Sequence, residues 1–237
     1  YLQLAERLGR LAVALAGGGI ESLRFEYHGG IAESDTRAVT LSGLKGAFSA
    51  VVHEPVTFVN APLMAKERGI SVEETKSSQS LDYVNLVEVR AAGQGETVSV
   101  AGVLVGKKDT ERLVRVYGYD LDMAFAKIMV FFRYEDRPGI VGIVGTLLGE
   151  SGVNIANMQV SRQSEGGEAL NSARDNGARM RRKAVFQLLE ALLPLVFCGP
   201  ILRRIETHSV SVFVALKEER WVQLKLYDGH ARFDATP

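Results

Sequence analysis

The residues best placed to do chemistry lie between Asp136 and Asn154. Asp136-Arg137-Pro138-Gly139 leads straight into Ile140, Ile143, Val144, Leu147 and Leu148, a spacing that predicts a helix. Pro138 suits the first turn because it has no amide hydrogen to satisfy. The first N–H groups of a helix lack intrahelical partners, and together with the dipole they attract a small carboxylate. Asp136, just ahead of them, can accept from an ammonium group. One turn therefore offers both halves of a receptor for an amino-acid zwitterion. Asn154 stands beyond the far end of this helix, roughly 20 Å away for about 14 residues. It reaches such a turn only in a second copy, where a two-fold axis brings opposite ends together. The plainer alternative is that Asp136 caps the helix and Asn154 holds a turn.

Other chemistry is poorly supplied. His28, His53, His208 and His230 are scattered without ligand spacing, which predicts no metal site. His53-Glu54 are adjacent, and neighbours on a helix do not face one another. No GxSxG, HExxH or Walker sequence occurs, so no catalytic residue is expected in this chain. Gly17-Gly18-Gly19 follows a helical pattern, whereas a dinucleotide fingerprint must follow a strand and open a helix; no cofactor is expected here either. A single cysteine, Cys198, excludes an intrachain disulfide.

The elements that must position these residues follow from composition and periodicity. The chain has 237 residues, 46% hydrophobic and 24% charged, enough for one large domain or two modest ones. Its formal charge is zero, without the basic field that nucleic-acid binding usually needs. No apolar run reaches the 18 or so residues of a membrane span. The start at Tyr1 reads as a continuation from a preceding part. Leu4, Leu8, Leu11 and Leu15 form one helical stripe over 1–18. Alternation at Leu23, Phe25 and Tyr27 predicts a strand, and helices follow from Ser34 or Asp35 to about Val52 and from Pro62 to Lys66. Residues 71–76 read as an edge strand, followed by strands over 83–91, 97–105 and 113–119, the first two joined by Gly93-Gln94-Gly95-Glu96. Strands over 128–134 and 155–160 flank the helix after Pro138.

After Gly166-Gly167 the character changes. Residues 171–182 carry four arginines and almost nothing to bury, and 171–237 hold a net charge of +4. An amphipathic helix over 183–193 and strands over 209–216 and 221–227 are expected. The arginines lack interleaved aromatics, so no nucleic-acid surface is read from them.

The stretch YEDRPGIVGIVGTLLGESGVNIANMQVSRQ resembles an ACT domain, the regulatory βαββαβ module of amino-acid enzymes. Upstream, LSGLKGAFSA, VTFVNAPLMAKERGI and VSVAGVLVG resemble the intervening, allosteric substrate-binding domain of long-form D-3-phosphoglycerate dehydrogenases. The likeness covers about residues 1–170. It implies an α/β (α+β) chain: an intervening domain with a mixed sheet over 19–124, then a ferredoxin-like ACT domain over 125–216, with 217–237 an unassigned tail. It also implies a cytoplasmic parent enzyme, or a plastid one in a plant, that oxidises 3-phosphoglycerate with NAD in the first step of serine synthesis. The catalytic and NAD-binding parts would precede Tyr1.

The resemblance further implies homo-oligomers, dimers or tetramers, with L-serine held between paired ACT domains. The matching positions are Tyr134, Asp136 and Asn154, with Pro138 and Gly139 shaping the loop. Some relatives also bind phosphate or phosphorylated substrate through basic residues. Arg112 matches one of these; Ala124 stands where a second occurs, and Lys45, Lys107 and Lys108 are substitute candidates. From a different class comes a structural oligomerisation module that answers to no ligand. The tail departs from the family pattern, since NSARDNGARMRRK replaces a hydrophobic third strand. A change of reading frame, a rebuilt divergent half with a short strand at 168–171, and an appended module all remain open.

Overall fold

The leucine stripe at Leu4, Leu8, Leu11 and Leu15 is buried on one face of α1 (Leu2–Ala16). In the computed structural model the described residues are 1–16, 19–52, 54–79, 82–93, 97–126, 128–136, 138–150, 154–162, 168–175, 201–205, 210–215 and 221–228. They fall into two units, one built on Tyr1–Phe125 and the other on Ala126–His230.

In the first unit α1 is followed by β1 (Ile20–Gly29), a single 3-10 turn (Gly30–Glu33), α2 (Arg37–Ser49), α3 (Ala61–Glu67) and β2 (Ser71–Ser77). Then come β3 (Asn85–Gly93), β4 (Val98–Val105), β5 (Thr110–Val116) and β6 (Tyr119–Ala124). The sheet order is β2-β1-β3-β4-β5-β6, with β1 and β2 parallel and the remaining pairs antiparallel, hence a mixed sheet. The first helix belongs inside this unit: Leu4 and Leu8 press against Gly102 of β4, where a Cβ would meet Leu4 Cδ1 at 2.8 Å. The opposing β1 residues Leu23, Phe25 and Tyr27 are buried, and the Phe25 ring fills the space a side chain at Gly43 would need. The hydroxyl of Tyr27 hydrogen-bonds Thr40 of α2 at 2.7 Å.

Two elements of this unit escaped the sequence reading. The 3-10 turn is too short to show a period. No element is expected between the strands over 113–119 and 128–134, yet β6 alternates buried Tyr119, Leu121 and Met123 with exposed Asp120 and Asp122. Its hairpin with β5 turns on Tyr117 and Gly118, both at positive φ (53° and 78°), the geometry of a two-residue I′ turn. A tyrosine in place of the usual Asn or Asp hid that signal. Of the turn expected at 93–96, residues 94–96 lie outside the described residues, but β3 and β4 pair antiparallel on either side of it.

The second unit contains β7 (Ile128–Glu135), α4 (Ile140–Glu150), β8 (Asn157–Arg162), β9 (Glu168–Asp175), β10 (Ile201–Ile205), β11 (Val210–Ala215) and β12 (Trp221–Asp228). Its order is β10-β11-β12-β7-β9-β8. The second half is expected to be divergent or incomplete; the short strand that the rebuilt, divergent reading places at 168–171 is present and is longer than expected. β9 runs eight residues and pairs antiparallel along both edges, with β7 and with β8. The ladder is made by the backbone, which pairs whatever the side chains are, and Ala169, Leu170, Ser172 and Ala173 are small or apolar enough to bury. Asn171 carries a local cost: it is fully buried, and among the described residues neither its Oδ1 nor its Nδ2 has a hydrogen-bond partner. Such a group costs about 1–3 kcal/mol. β12 lies within the segment read as a tail and flanks β7 on its other side. β10 was not anticipated, and the helix expected at 183–193 lies outside the described residues.

Candidate functional site

Strand geometry decides which side chains meet at the start of α4. Alternate residues of a strand share a face, so Tyr134 at the end of β7 and Asp136 just beyond it point the same way. In the register of the sheet, Tyr134 stands opposite Ala169 of β9, and Ala169 stands opposite Arg162 of β8. These three form one cross-strand row. The central member is a fully buried alanine, so nothing bulky separates the outer two. Arg162 extends across it and pairs with Asp136, Nε to Oδ2 at 2.8 Å. The partners are unequally placed: the Asp136 side chain is 12% exposed and that of Arg162 is 57% exposed.

Tyr134 senses this pair. Burial pushes its phenol above the usual tyrosine range, the Asp136 charge pushes it further, and Arg162 pulls it back. Pro138 and Gly139 are exposed at the turn, and Gly139 adopts a φ of 92°, a conformation that side chains rarely take. Its carbonyl accepts from the amide of Ile143 at 3.0 Å, the first bond of the helix. Ile140, Val144 and Leu148 fix α4 by burying one face. Asn154 is exposed beyond the other end of an 11-residue helix, roughly 16 Å long. Tyr134, Asp136, Pro138 and Gly139 are therefore brought together, and Asn154 is not among them within one chain.

Arg162 was missed in the sequence. Its only local signal is the period of two in β8, which puts it on the face of Met158 and Val160. That it faces Asp136 depends on β9 lying between β7 and β8, a long-range pairing.

The basic residues considered for an anion site lie on α2 and on the β4–β5 hairpin. Lys45 of α2 binds both carboxylate oxygens of Glu6, at 3.0 and 2.9 Å, and lies 5.6 Å from the Phe58 ring centre. Arg112 of β5 pairs with Asp122, Nε to Oδ1 at 2.6 Å. Ala124 is its direct cross-strand partner, so a basic residue at that position would stand beside Arg112. Lys107 and Lys108 are exposed in the β4–β5 turn.

One further group of potential ligands exists among the described residues. Glu26, His28 and Glu88 bring donor atoms within 4.8 Å of one another on β1 and β3. Arg90 already supplies the positive charge there: it lies 3.0 Å from Glu88 Oε1, and its Nε lies 2.8 Å from Glu26 Oε1, off the line of a hydrogen bond. The cluster reads as an internal charge network.

Comparison with known proteins supplies the family. Residues 1–117 match the family model of the D-3-phosphoglycerate dehydrogenase intervening domain, and residues 128–192 match that of the ACT domain. The chain carries the intervening and ACT domains of the D-3-phosphoglycerate dehydrogenase family. It is 41% identical over 167 residues to the D-3-phosphoglycerate dehydrogenase of Mycobacterium tuberculosis, which covers 70% of this chain and 32% of that protein. The enzyme of the same name from Synechocystis is 38% identical over 171 residues, 72% of this chain and 31% of the relative. That of Bacillus subtilis is 34% identical over 170 residues, 72% and 32%. The chain thus spans about a third of the length of these relatives. The Tyr134–Asp136–Arg162 cluster belongs to the ACT domain, and Arg112, Lys45, Lys107 and Lys108 belong to the intervening domain.

Proposed function

We propose that this chain is the regulatory portion of a cytoplasmic, NAD-dependent D-3-phosphoglycerate dehydrogenase, and that its ACT domain binds L-serine where two ACT domains meet. The parent enzyme would convert 3-phosphoglycerate to 3-phosphohydroxypyruvate, the first step of L-serine synthesis, with NAD held outside this chain. The observation that carries the reading is a largely buried carboxylate, Asp136, set at the entry to an exposed helix start in an ACT domain. Asp136 accepts from the ammonium of serine. The first amides of α4 take its carboxylate, helped by the dipole. Tyr134 closes the side of the site, and Asn154 reaches it from the partner.

β8 supports self-association. It ends the sheet, and among the described residues it pairs only with β9. Its outer edge therefore offers main-chain groups to a second copy. The intervening domain would carry serine occupancy toward the catalytic part. Arg112, with Lys107, Lys108 or Lys45, is its candidate contact for phosphate or phosphorylated substrate. Coupling of this kind requires two states with different serine affinity.

Titration calorimetry of the chain with L-serine tests the reading. We expect saturable binding, weakened about ten- to hundredfold by Asp136→Ala, the worth of a hydrogen bond to a charged group. Equal affinity in the variant would reject the ammonium contact. The second reading, an oligomerisation module without a ligand, is favoured by one observation: Asp136 already holds a cation, Arg162. An intact dimer that gives no heat with millimolar serine would establish it.

A further inference from the structure

We propose that Arg162 occupies the ammonium subsite from within, so that an amino-acid effector binds only by displacing its guanidinium from Asp136. The inference rests on the L-serine reading above and adds a regulating residue to it. A carboxylate at the entry of α4 serves an effector's ammonium through its oxygens, and Oδ2 is already engaged at 2.8 Å. The guanidinium presents the same charge as the ligand ammonium and, like it, only N–H donors.

The geometry shows which partner yields. Asp136 is fixed, tethered at the end of β7 beside the first turn of α4 and 12% exposed. Arg162 ends edge strand β8, is 57% exposed, and keeps its charge hydrated when it swings outward. To reach Asp136 it crosses two strand spacings, roughly 10 Å. The crossing passes over Ala169, whose methyl leaves the path clear. The closed pair is neutral and so is zwitterionic serine. When the guanidinium swings out, the serine ammonium replaces its positive charge beside Asp136, and the serine carboxylate brings one negative charge to the first amides of α4. The outcome turns on which cation Asp136 holds and on how well those amides receive the carboxylate.

The test compares L-serine titrations of wild type, Arg162→Gln and Arg162→Lys on the full chain, with circular dichroism to confirm the fold. Removing a competing ion pair of this exposure should tighten Kd about fivefold in Arg162→Gln. Arg162→Lys keeps a competing cation and should stay close to wild type. Saturable binding by Arg162→Gln where wild type gives no heat would support the proposal more strongly. Equal or weaker binding by Arg162→Gln, with wild type responsive, overturns it and leaves the serine site standing; Arg162 would then be holding the effector's carboxylate. If none of the three proteins binds millimolar serine, the serine reading itself fails and this proposal falls with it.

Discussion

A methyl group at Gly46 should unseat the helix layer of the intervening domain. α1 and α2 cross so closely that a Cβ on Gly46 would lie 1.9 Å from the carbonyl oxygen of Glu6 and 2.6 Å from its carbonyl carbon. The crossing is reciprocal, since a Cβ on Gly9 would lie 2.0 Å from the carbonyl oxygen of Gly43. Both obstacles are backbone, so no change of rotamer relieves them. Ordinary contact begins near 3.4 Å, and the helices must part by about 1.5 Å to reach it. That movement loosens the Lys45–Glu6 ion pair and the hydrogen bond from Ser42 Oγ to the Leu2 carbonyl at 2.8 Å. Overpacking costs about 1–3 kcal/mol and a lost hydrogen bond about 0.5–1.5 kcal/mol. Alanine returns about 1 kcal/mol as the better helix former. The balance is a loss of about 2 kcal/mol, or roughly 8 °C in Tm for a unit of this size. Gly145→Ala in α4 is the control, because its Cβ would meet nothing within 4 Å. The same substitution there should gain about 0.8–1 kcal/mol. Scanning calorimetry of the two variants reads both signs. A Gly46→Ala protein melting at or above the wild-type temperature would show that the helices are not in this contact.

Two other perturbations follow from the surroundings of two carboxylates, one buried and one held by hydrogen bonds at the surface. The Glu88 side chain is nearly fully buried, and that burial raises its carboxyl above the ordinary 4.5; Arg90 opposes the shift and Glu26 adds to it. Its folded state therefore binds a proton more tightly than the unfolded one, and stability falls as pH climbs from about 4.5 through the raised value. Glu88→Gln should remove this fall, seen as a flatter Tm from pH 4.5 to 7; parallel curves would contradict it. Glu74 behaves in the opposite sense. Burial alone would raise it, but hydrogen bonds from Thr36 and Thr40 and the Lys76 charge hold it below 4.5. Its contribution is present above that pH and lost as pH falls through the folded value. Thr40→Val should cost about 1–3 kcal/mol by stranding the buried Tyr27 hydroxyl as well. Part of that deficit should vanish as pH falls below 4.5 in chemical denaturation, and a pH-independent deficit would count against the Glu74 contribution.

Much of this architecture was legible because it is local. The leucines of α1, the alternation of β1 and the run after Pro138 each announce their period within a dozen residues. What escaped was set at a distance or by uncommon turn chemistry. β6 hid behind a Tyr-Gly turn. β9 hid because its pairing on both edges comes from β7 and β8, while its own sequence, EALNSARD, carries no strong β signal. The Asp136 turn was visible as a feature of one segment, but its cation was not, because Arg162 is 26 residues away and meets it only through the strand order. The same limit applied to the basic residues. Their types could be read, but not that Glu6 holds Lys45, that Asp122 holds Arg112, or that Ala124 is the residue directly across from Arg112.

A strand with little β signal of its own thus positions the Tyr134–Asp136–Arg162 group. β9 contributes no charge to the Tyr134–Asp136–Arg162 group, yet its register decides whether the group exists. A strand presents alternate residues to opposite faces, and a shift of one place exchanges the two sets. In the observed register the small Ala169 lies between Tyr134 and Arg162. A slip of one would put Leu170 or Glu168 there. Leucine would obstruct the guanidinium's path to Asp136, and glutamate would capture it. Arg133 already pairs with Glu168 on the other face, Nη2 to Oε2 at 3.2 Å, and that contact favours the register in which Ala169 stays in line. The polar residues of β9 are therefore compatible with the Asp136–Arg162 contact so long as one small side chain falls in this row. The composition of the strand can drift further from the hydrophobic pattern than that single position can.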